Sequence, residues 1–147
     1  MDMRVKRLDS SSRKEAQRLF IMMAEVFKED CDTLTDSYLD QLLCRKDFWV
    51  LAVFAGDDII GGVTAHTLPM TYNESSEIFI FDIAVRSAHQ RQGVGRHPVT
   101  TLRRLASEVG VYEIFVAADN EDEHALDFYR RLGGMPTPTT MFDFPRT

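Results

Sequence analysis

The sequence predicts a single domain of the α/β (α+β) class over residues 1–147, with helices packed on a mixed sheet. A length of 147 residues is enough to bury a core, and 44% hydrophobic with 27% charged residues is typical of a globular protein. Two apolar segments separated by a short turn indicate a hairpin, and strand and helix patterns alternate after it. This order of elements is typical of a mixed sheet.

The first half of the chain predicts two helices and the hairpin. Apolar residues recur at helical spacing over 14–27, and a shorter helix is expected to begin after Thr35. The segment 48–54 is apolar and β-prone, and the Gly-Asp turn that follows leads into a second strand over 59–67.

The second half predicts strand, helix, strand, helix and strand in turn. The run 77–85 is almost continuously apolar, which is typical of a central strand buried on both faces. A helix ending at Gly110 follows, then a buried strand over 111–118, a helix capped by Asn120, and a closing strand over 139–144. The buried face of the last helix is predicted to comprise Ala125, Phe128, Tyr129 and Leu132.

Charge and composition exclude several classes of protein. A net charge of −6 and a pI near 5.2 argue against nucleic acid as the partner and suit a small cationic molecule. No apolar run has the length of a membrane span, and residues 1–12 lack an apolar signal core, so we expect a cytoplasmic protein without membrane association. Cys31 and Cys44 are too few for a disulfide framework and are expected to be buried free thiols.

A glycine-rich loop, Gln90-Arg91-Gln92-Gly93-Val94-Gly95, runs from the apolar strand into a helical pattern. A phosphate-binding P-loop needs Lys-Ser or Lys-Thr after its second glycine, and a dinucleotide loop needs a third glycine where Pro98 stands. A tight connection without a ligand is the remaining alternative. Basic residues cluster here in an otherwise acidic chain, which favours an anionic ligand at the helix N-terminus. They are Arg86, His89, Arg91, Arg96 and His97.

The loop Gln90-x-x-Gly93-x-Gly95 resembles the acyl-CoA pyrophosphate loop of the GNAT superfamily of N-acetyltransferases. The strand end 82–85 and the pattern Ala125-x-x-x-Tyr129-x-x-x-Gly133 are similar to its companion motifs. Within the superfamily, Leu68-Pro69 and the segment 76–85 resemble the aminoglycoside 3-N-acetyltransferases. The resemblance implies the GNAT fold, with about six to seven strands in a mixed central sheet, about four helices and a homodimer.

The resemblance also implies acetyl-CoA as the co-substrate and no metal. Ile83, Ala84 and Val85 would pair with the pantetheine arm as a sheet strand does. The loop would hold the pyrophosphate, chiefly through backbone N–H groups. The implied loop residues are Gln90, Arg91, Gln92, Gly93, Val94, Gly95, Arg96 and His97.

Two residues are candidates for catalysis. Asp82 interrupts an apolar strand, where an unpaired buried carboxylate is costly, so it either has a structural hydrogen-bond partner or lines a cleft. The resemblance implies that it anchors the acceptor amine and takes its proton. Tyr129 is a core aromatic by its spacing alone, whereas the resemblance implies a phenol that protonates the departing thiolate.

Acidic side chains are the candidates for binding a cationic substrate. Those near the last helix have an alternative role, because acids are favoured at helix N-termini. Phe79 and Phe81 stand where related aminoglycoside enzymes tend to have tyrosines. The candidate substrate-binding residues are Glu77, Asp82, Asp119, Glu121, Asp122 and Glu123.

The expected activity is direct transfer of an acetyl group from acetyl-CoA to the 3-amino group of an aminoglycoside, which would confer antibiotic resistance. One alternative is a GNAT enzyme that acts on another amine, such as a polyamine or a protein amine. The other is a CoA-binding module without catalysis.

Overall fold

A computed structural model describes residues 2–147, in which five strands form one sheet with four α-helices. The chain divides into two compact units, one ending at Ala117 and the other comprising Ala118–Thr147. The elements in chain order are β1 (Met3–Arg7), α1 (Arg13–Phe27), α2 (Asp36–Leu43), β2 (Phe48–Ala55), β3 (Asp58–Pro69), β4 (Ser76–Val85), a 3-10 turn (Ser87–His89), α3 (Arg96–Glu108), β5 (Glu113–Val116) and α4 (Glu123–Arg131).

The sheet has the order β1-β2-β3-β4-β5. The first four strands are antiparallel neighbours, and β5 is parallel to β4, which it reaches through the crossover helix α3. The predicted α/β class with a mixed sheet is confirmed. The expected six to seven strands are wrong by at least one, because residues 139–144 form no strand. That segment has strand-forming side chains, but it pairs with none of the five described strands.

Helices cover both faces of the sheet in the first unit. One apolar cluster joins Leu19 and Met22 of α1 to the β2 residues Phe48, Val50 and Ala52. The opposite face packs on α3, and this second cluster comprises Trp49, Leu51, Val63, Ala65, Ile78, Ile80, Leu102 and Ala106. We call the two surfaces the α1 face and the α3 face.

Gly62 in β3 allows α1 to lie directly on the sheet. A Cβ atom there would stand 2.6 Å from Leu19 Cδ1 and 2.7 Å from the carbonyl oxygen of Leu51. Because the second contact is with backbone, no side-chain rotation relieves it. The helix therefore approaches the sheet at a position where the side chain is missing.

A β-bulge in β4 shifts the alternation of its side chains between the two faces of the sheet. Ile80 lies opposite Ala65 and Asp82 opposite Thr64, so Phe81 has no counterpart in β3. Ile80 packs on the α3 face, and strict alternation would send Asp82 into the same core. The additional residue instead places Asp82 on the α1 face, with Ala84. The bulge thus keeps a carboxylate out of the α3 core.

Several local predictions need correction. Cys31 and Cys44 are exposed rather than buried, because both lie outside the apolar faces of α1 and α2. The strand predicted over 111–118 is shorter and only half-buried, because it forms the sheet edge and is covered on one face. β1 had no counterpart in the sequence prediction, because its short segment alternates apolar and basic residues on an edge strand.

The last helix also differs in detail. Asp122, not Asn120, caps α4, and its Oδ1 accepts a hydrogen bond from Ala125 N at 3.1 Å. The predicted apolar face is present, but its side chains are at most half-buried. Across residues 2–147, no helix is both long and apolar enough to cross a bilayer.

Candidate functional site

The glycine loop lies between the 3-10 turn and α3, with a backbone shape that requires glycine. Gly93 has a φ of +77°, in the region that residues with a Cβ rarely adopt, and Arg91 also has a positive φ of 64°. Val94 fixes the loop to the sheet: it is buried, and its Cγ1 would lie 3.2 Å from a Cβ at Gly61. The loop is therefore anchored by one apolar side chain.

Two glutamine side chains hydrogen-bond to the backbone around the loop. Gln90 Nε2 donates to Val85 O at 3.0 Å, and Gln92 Nε2 donates to Ala88 O at 3.4 Å. Arg86, at the base of the loop, donates from Nε to Ile59 O. These three side chains stabilise the conformation of the loop through hydrogen bonds to its surrounding backbone. They can therefore contribute to ligand binding without contacting the ligand.

The loop presents donors and positive charge to solvent. α3 begins at Arg96 with Gly95 as its N-cap, and no side chain caps its first turn. The first N–H groups of a helix have no acceptor within the helix and can bind an anion, although here His97 N already donates to Val94 O at 3.2 Å. Arg91, Arg96 and His97 are exposed around this end. His89 Nδ1 is buried without a hydrogen-bond partner within residues 2–147. The residues present therefore fit a phosphate-bearing ligand.

β4 and β5 are paired over only part of their length. The pairing covers Glu77–Ile80 of β4 and ends at Val116 of β5, so the rest of β4 has no strand beside it on that edge within the described sheet. Arg86 donates its backbone N–H to Ile60 O in β3. Because neighbouring residues of a strand direct their polar groups to opposite edges, Val85 and Ile83 face the open edge.

The open edge can accept an extended ligand by main-chain hydrogen bonding. Ala84, between these two residues, directs its backbone groups toward β3 and its side chain into the core of the α1 face. Of the three residues predicted to pair with pantetheine, Ile83 therefore presents its backbone groups to the opening and Val85 presents its N–H, since Val85 O already accepts from Gln90 Nε2. The sequence pattern could not distinguish them, because it contains no information on the edge that each residue faces.

Asp82 lies on the α1 face, next to the open edge. Its side chain is half-buried, and this burial raises the pKa of the carboxyl above its ordinary value. Within residues 2–147 its carboxylate has no hydrogen-bond or ion-pair partner. Of the two possibilities left open by the sequence, the structural partner is therefore not found among the described residues, and the cleft position stays a prediction.

Several aromatic side chains lie on the same face of the sheet as Asp82. The His66 ring lies 5.2 Å from the Phe48 ring and 5.9 Å from the Phe81 ring, and Phe79 lies 6.2 Å from Phe81. His66 was not among the predicted site residues. In the sequence, polar residues occupy alternate positions of β3, namely Thr64 and His66. The strand register is needed to show that they stand opposite Asp82 and Phe79.

The remaining predicted substrate carboxylates lie in different places. Glu77 is half-buried at the start of β4, opposite Leu68 of β3 and Glu113 of β5. In the second unit, Asp122 caps α4, and Asp119 Oδ1 accepts a hydrogen bond from Glu121 N at 2.8 Å. Asp119 and Asp122 thus have local structural roles. Glu121 and Glu123 are exposed.

Tyr129 lies in α4, within the second unit. Its ring is half-buried and makes an edge contact with Phe128 at 5.2 Å, and its carbonyl oxygen accepts a hydrogen bond from Gly134 N. This ring contact lies within one helix, in which no residue is fully buried, so the core position predicted from its spacing is not confirmed. Its role as a proton donor stays a prediction.

For metals, the described part of the chain contains no group of three or more His, Cys, Asp or Glu side chains able to hold an ion.

Solved structures of high similarity cover the whole chain. One is an aminoglycoside acetyltransferase, HMB0005, from an uncultured soil metagenomic sample; it is 31% identical, with a TM-score of 0.94, and the match covers 100% of both chains. A second, meta-AAC0020 from an uncultured soil metagenomic sample, was solved in complex with sisomicin. It is 28% identical, with a TM-score of 0.94, over 99% of this chain and 97% of that chain.

Sequence comparison agrees at the level of the family. Human N-acetyltransferase 8B is 25% identical over 115 residues, which is 78% of this chain. The chain spans about half the length of the curated relatives that it matches. Residues 14–134 match the acetyltransferase (GNAT) family, a range that includes the glycine loop and all but one strand of the sheet. The chain therefore belongs to the GNAT family of acetyltransferases.

Proposed function

We propose that this protein transfers the acetyl group of acetyl-CoA to an amine of an aminoglycoside, at the 3-amino position that the sequence resemblance implies. The observation that carries the proposal is the unpaired, half-buried carboxylate of Asp82 beside the open edge of β4. A carboxylate without a structural partner at the divergence of two strands is suited to meet a cationic group there.

The loop and the open edge are the donor side of the proposed site. Backbone N–H groups around Gly93 and the first turn of α3 would hold the CoA pyrophosphate, with Arg91 and Arg96 adding charge. Ile83 and Val85 would hydrogen-bond to the extended arm. When bound, acetyl-CoA supplies an activated acyl group. The N–H of a residue at this edge can polarise the thioester carbonyl.

Asp82 is the proposed base on the acceptor side. An amine arrives protonated and must lose a proton before its nitrogen has a lone pair for attack on a carbonyl carbon. The raised pKa of the Asp82 carboxyl makes it a stronger proton acceptor than an exposed aspartate. As the C–N bond forms and the C–S bond breaks, Tyr129 would donate a proton to the thiolate.

The identity of the acceptor is supported by charge and by similarity. A net charge of −6 favours a polycation. Two similar solved chains, 31% and 28% identical, are aminoglycoside acetyltransferases. Acetylation of a ring amine removes a positive charge from such an antibiotic, so resistance is the proposed cellular result.

The experiment is an acceptor panel. The full chain is incubated with acetyl-CoA and, separately, gentamicin-type aminoglycosides, sisomicin, spermidine and amine-bearing peptides, and free-thiol release is followed. We expect turnover with the aminoglycosides. Turnover with peptides or spermidine alone would contradict the acceptor and leave another GNAT activity, and CoA binding without turnover would indicate a binding module. Tandem mass spectrometry and NMR of the product locate the acetyl group and test the 3-amino position.

A further inference from the structure

Aromatic rings form a row across four strands on the α1 face. Phe48 of β2 lies opposite His66 of β3, His66 opposite Phe79 of β4, and Phe79 opposite Phe115 of β5. The ring centroids of Phe48 and His66 are 5.2 Å apart, and those of Phe79 and Phe115 are 5.1 Å apart. Directly opposed aromatic side chains are among the stabilising cross-strand pairs of a sheet.

Phe81 is the bulged residue, and its ring lies over this row. It makes edge contacts with His66 at 80° and with Phe79 at 88°, at 5.9 Å and 6.2 Å. Two neighbours thus fix the ring, and the α1 core does not cover it, since the residue is 63% exposed. An aromatic ring held in place but open to solvent has a face available for another molecule.

The charges around this ring favour a cation. Asp82, with its unpaired carboxylate, directly follows Phe81 in the sequence. Asp47, whose carboxyl interacts with His66, is already paired with Arg45 at 2.9 Å, so Asp82 supplies the free negative charge beside this ring. The apolar face of an aromatic ring packs on the C–H face of a saturated ring, while the neighbouring carboxylate holds the cation.

We propose that Phe81, supported by His66 and Phe79, is the surface on which a ring of the acceptor packs, while Asp82 holds the ammonium group of that ring. The inference rests on the proposed function and adds a determinant of specificity. A cyclic polyamine can satisfy the ring contact and the ion pair together, whereas a linear polyamine satisfies only the second. Since Phe81 has no hydroxyl, the contact is made by the ring and not by a hydrogen bond.

The test compares Phe81→Ala with Phe81→Tyr and with Tyr112→Ala. Tyr112 is an aromatic residue of similar exposure, 68%, and its backbone N–H bonds to Ser76 O at the far end of β4. It lies about 16 Å along the strand from Phe81, at about 3.3 Å a residue. For each variant, kcat and KM are measured with sisomicin and acetyl-CoA, and the Kd of spermidine is measured by calorimetric titration. Thermal melting confirms that each one is folded.

We expect Phe81→Ala to raise the KM for sisomicin about tenfold, as loss of one stacked ring does. Its KM for acetyl-CoA and its Kd for spermidine should change less than twofold. Phe81→Tyr and Tyr112→Ala should resemble the wild type with all three ligands. An unchanged KM for sisomicin in Phe81→Ala, or an equal rise in the Kd for spermidine, would overturn the inference and leave the proposed function intact.

Failure of the proposed function is distinguished by binding. If the wild type shows no turnover of sisomicin, calorimetric titration of sisomicin into the CoA-saturated protein still measures its affinity. An affinity for sisomicin that is at least fivefold weaker in Phe81→Ala than in the wild type would support the ring contact. Equal affinities, or no binding by the wild type, would overturn it.

Discussion

Asp82 is the residue on which the proposed chemistry depends most. We expect Asp82→Asn to lower kcat with an aminoglycoside about 100-fold or more, because an amide cannot accept the ammonium proton. The affinity for CoA should change little, since the loop and the backbone of the open edge remain. Steady-state kinetics and calorimetric titration of CoA measure the two effects.

The matched control is Glu74→Gln, an exposed carboxylate between β3 and β4. It should keep wild-type kinetics. If Asp82→Asn lost CoA affinity and kept its kcat, Asp82 would belong to the donor side and not to the acceptor side.

The raised pKa of Asp82 also predicts an effect on stability. Ionisation of this carboxyl costs more in the folded than in the unfolded protein, so its contribution to stability is complete below the ordinary aspartate pKa and is lost as the pH rises through the folded value. Asp82→Asn should therefore be more stable than the wild type near neutral pH.

The difference in the free energy of unfolding between Asp82→Asn and the wild type should shrink from about pH 7 to about pH 4. Over this range the wild-type carboxyl becomes protonated in both the folded and the unfolded state. Urea unfolding across this range measures it, and Glu74→Gln should show no such trend. Because the Asp82 side chain is half-exposed, solvent screening limits the size of the effect. A difference that grows on acidification would contradict the assigned direction.

At the level of the element, alanine variants of two glycines distinguish the effect of backbone strain on stability from the effect of the glycine loop on ligand binding. Gly93 and Gly56 have similar positive φ values, 77° and 62°, and a Cβ at either position would meet nothing within 4 Å. We expect Gly93→Ala and Gly56→Ala each to lose about 1 kcal/mol of stability, because an alanine is strained at such angles.

Only Gly93→Ala should also weaken acetyl-CoA binding, since Gly56 lies in the β2–β3 turn. Thermal unfolding and the KM for acetyl-CoA measure the two effects separately. Equal KM values in both variants would mean that the loop backbone does not contact the donor.

The sequence predicted elements best where one face is apolar at a regular period. α1 and β2 differ from their predicted bounds by at most one residue, because both have an uninterrupted pattern. The open edge and the bulge could not be predicted, since both depend on which residue of a neighbouring strand stands opposite. The same holds for the site: Asp82 was visible as a break in an apolar run, but the exposure of the Phe81 ring depends on the bulge and could not be predicted.

At the level of the whole molecule, the C-terminal residues leave large apolar side chains in water. Met141, Phe142 and Phe144 are 67%, 76% and 94% exposed. β5 is the last strand of the sheet order, so one of its edges has no strand partner among the described residues. An open edge and an unpaired strand-forming segment are complementary, and exchange of such a segment is a common route to dimers.

We expect a homodimer in which the segment 139–144 of each copy pairs with β5 of the other. Pro136 and Pro138 favour this arrangement, because prolines keep the preceding linker extended. Size-exclusion chromatography with light scattering should show a dimer for the wild type and a monomer, or a dimer at least tenfold weaker, for Phe142→Ser with Phe144→Ser. Tyr72→Ser, which changes another exposed aromatic residue, is the control. A monomeric wild type would contradict the expectation.

The bulge in β4 determines which deletions this strand can tolerate in evolution. The apolar patterns on its two sides are out of phase by one residue, and Phe81 makes up the difference. Deletion of Phe81 alone would leave Ile78, Ile80 and Ile83 on the α3 face and Asp82 on the α1 face, as in an unbroken strand. Deletion of Asp82 would also restore the alternation, but it would remove the carboxylate. A lineage could therefore gain or lose the ring at this one position while keeping both its core and its carboxylate in place.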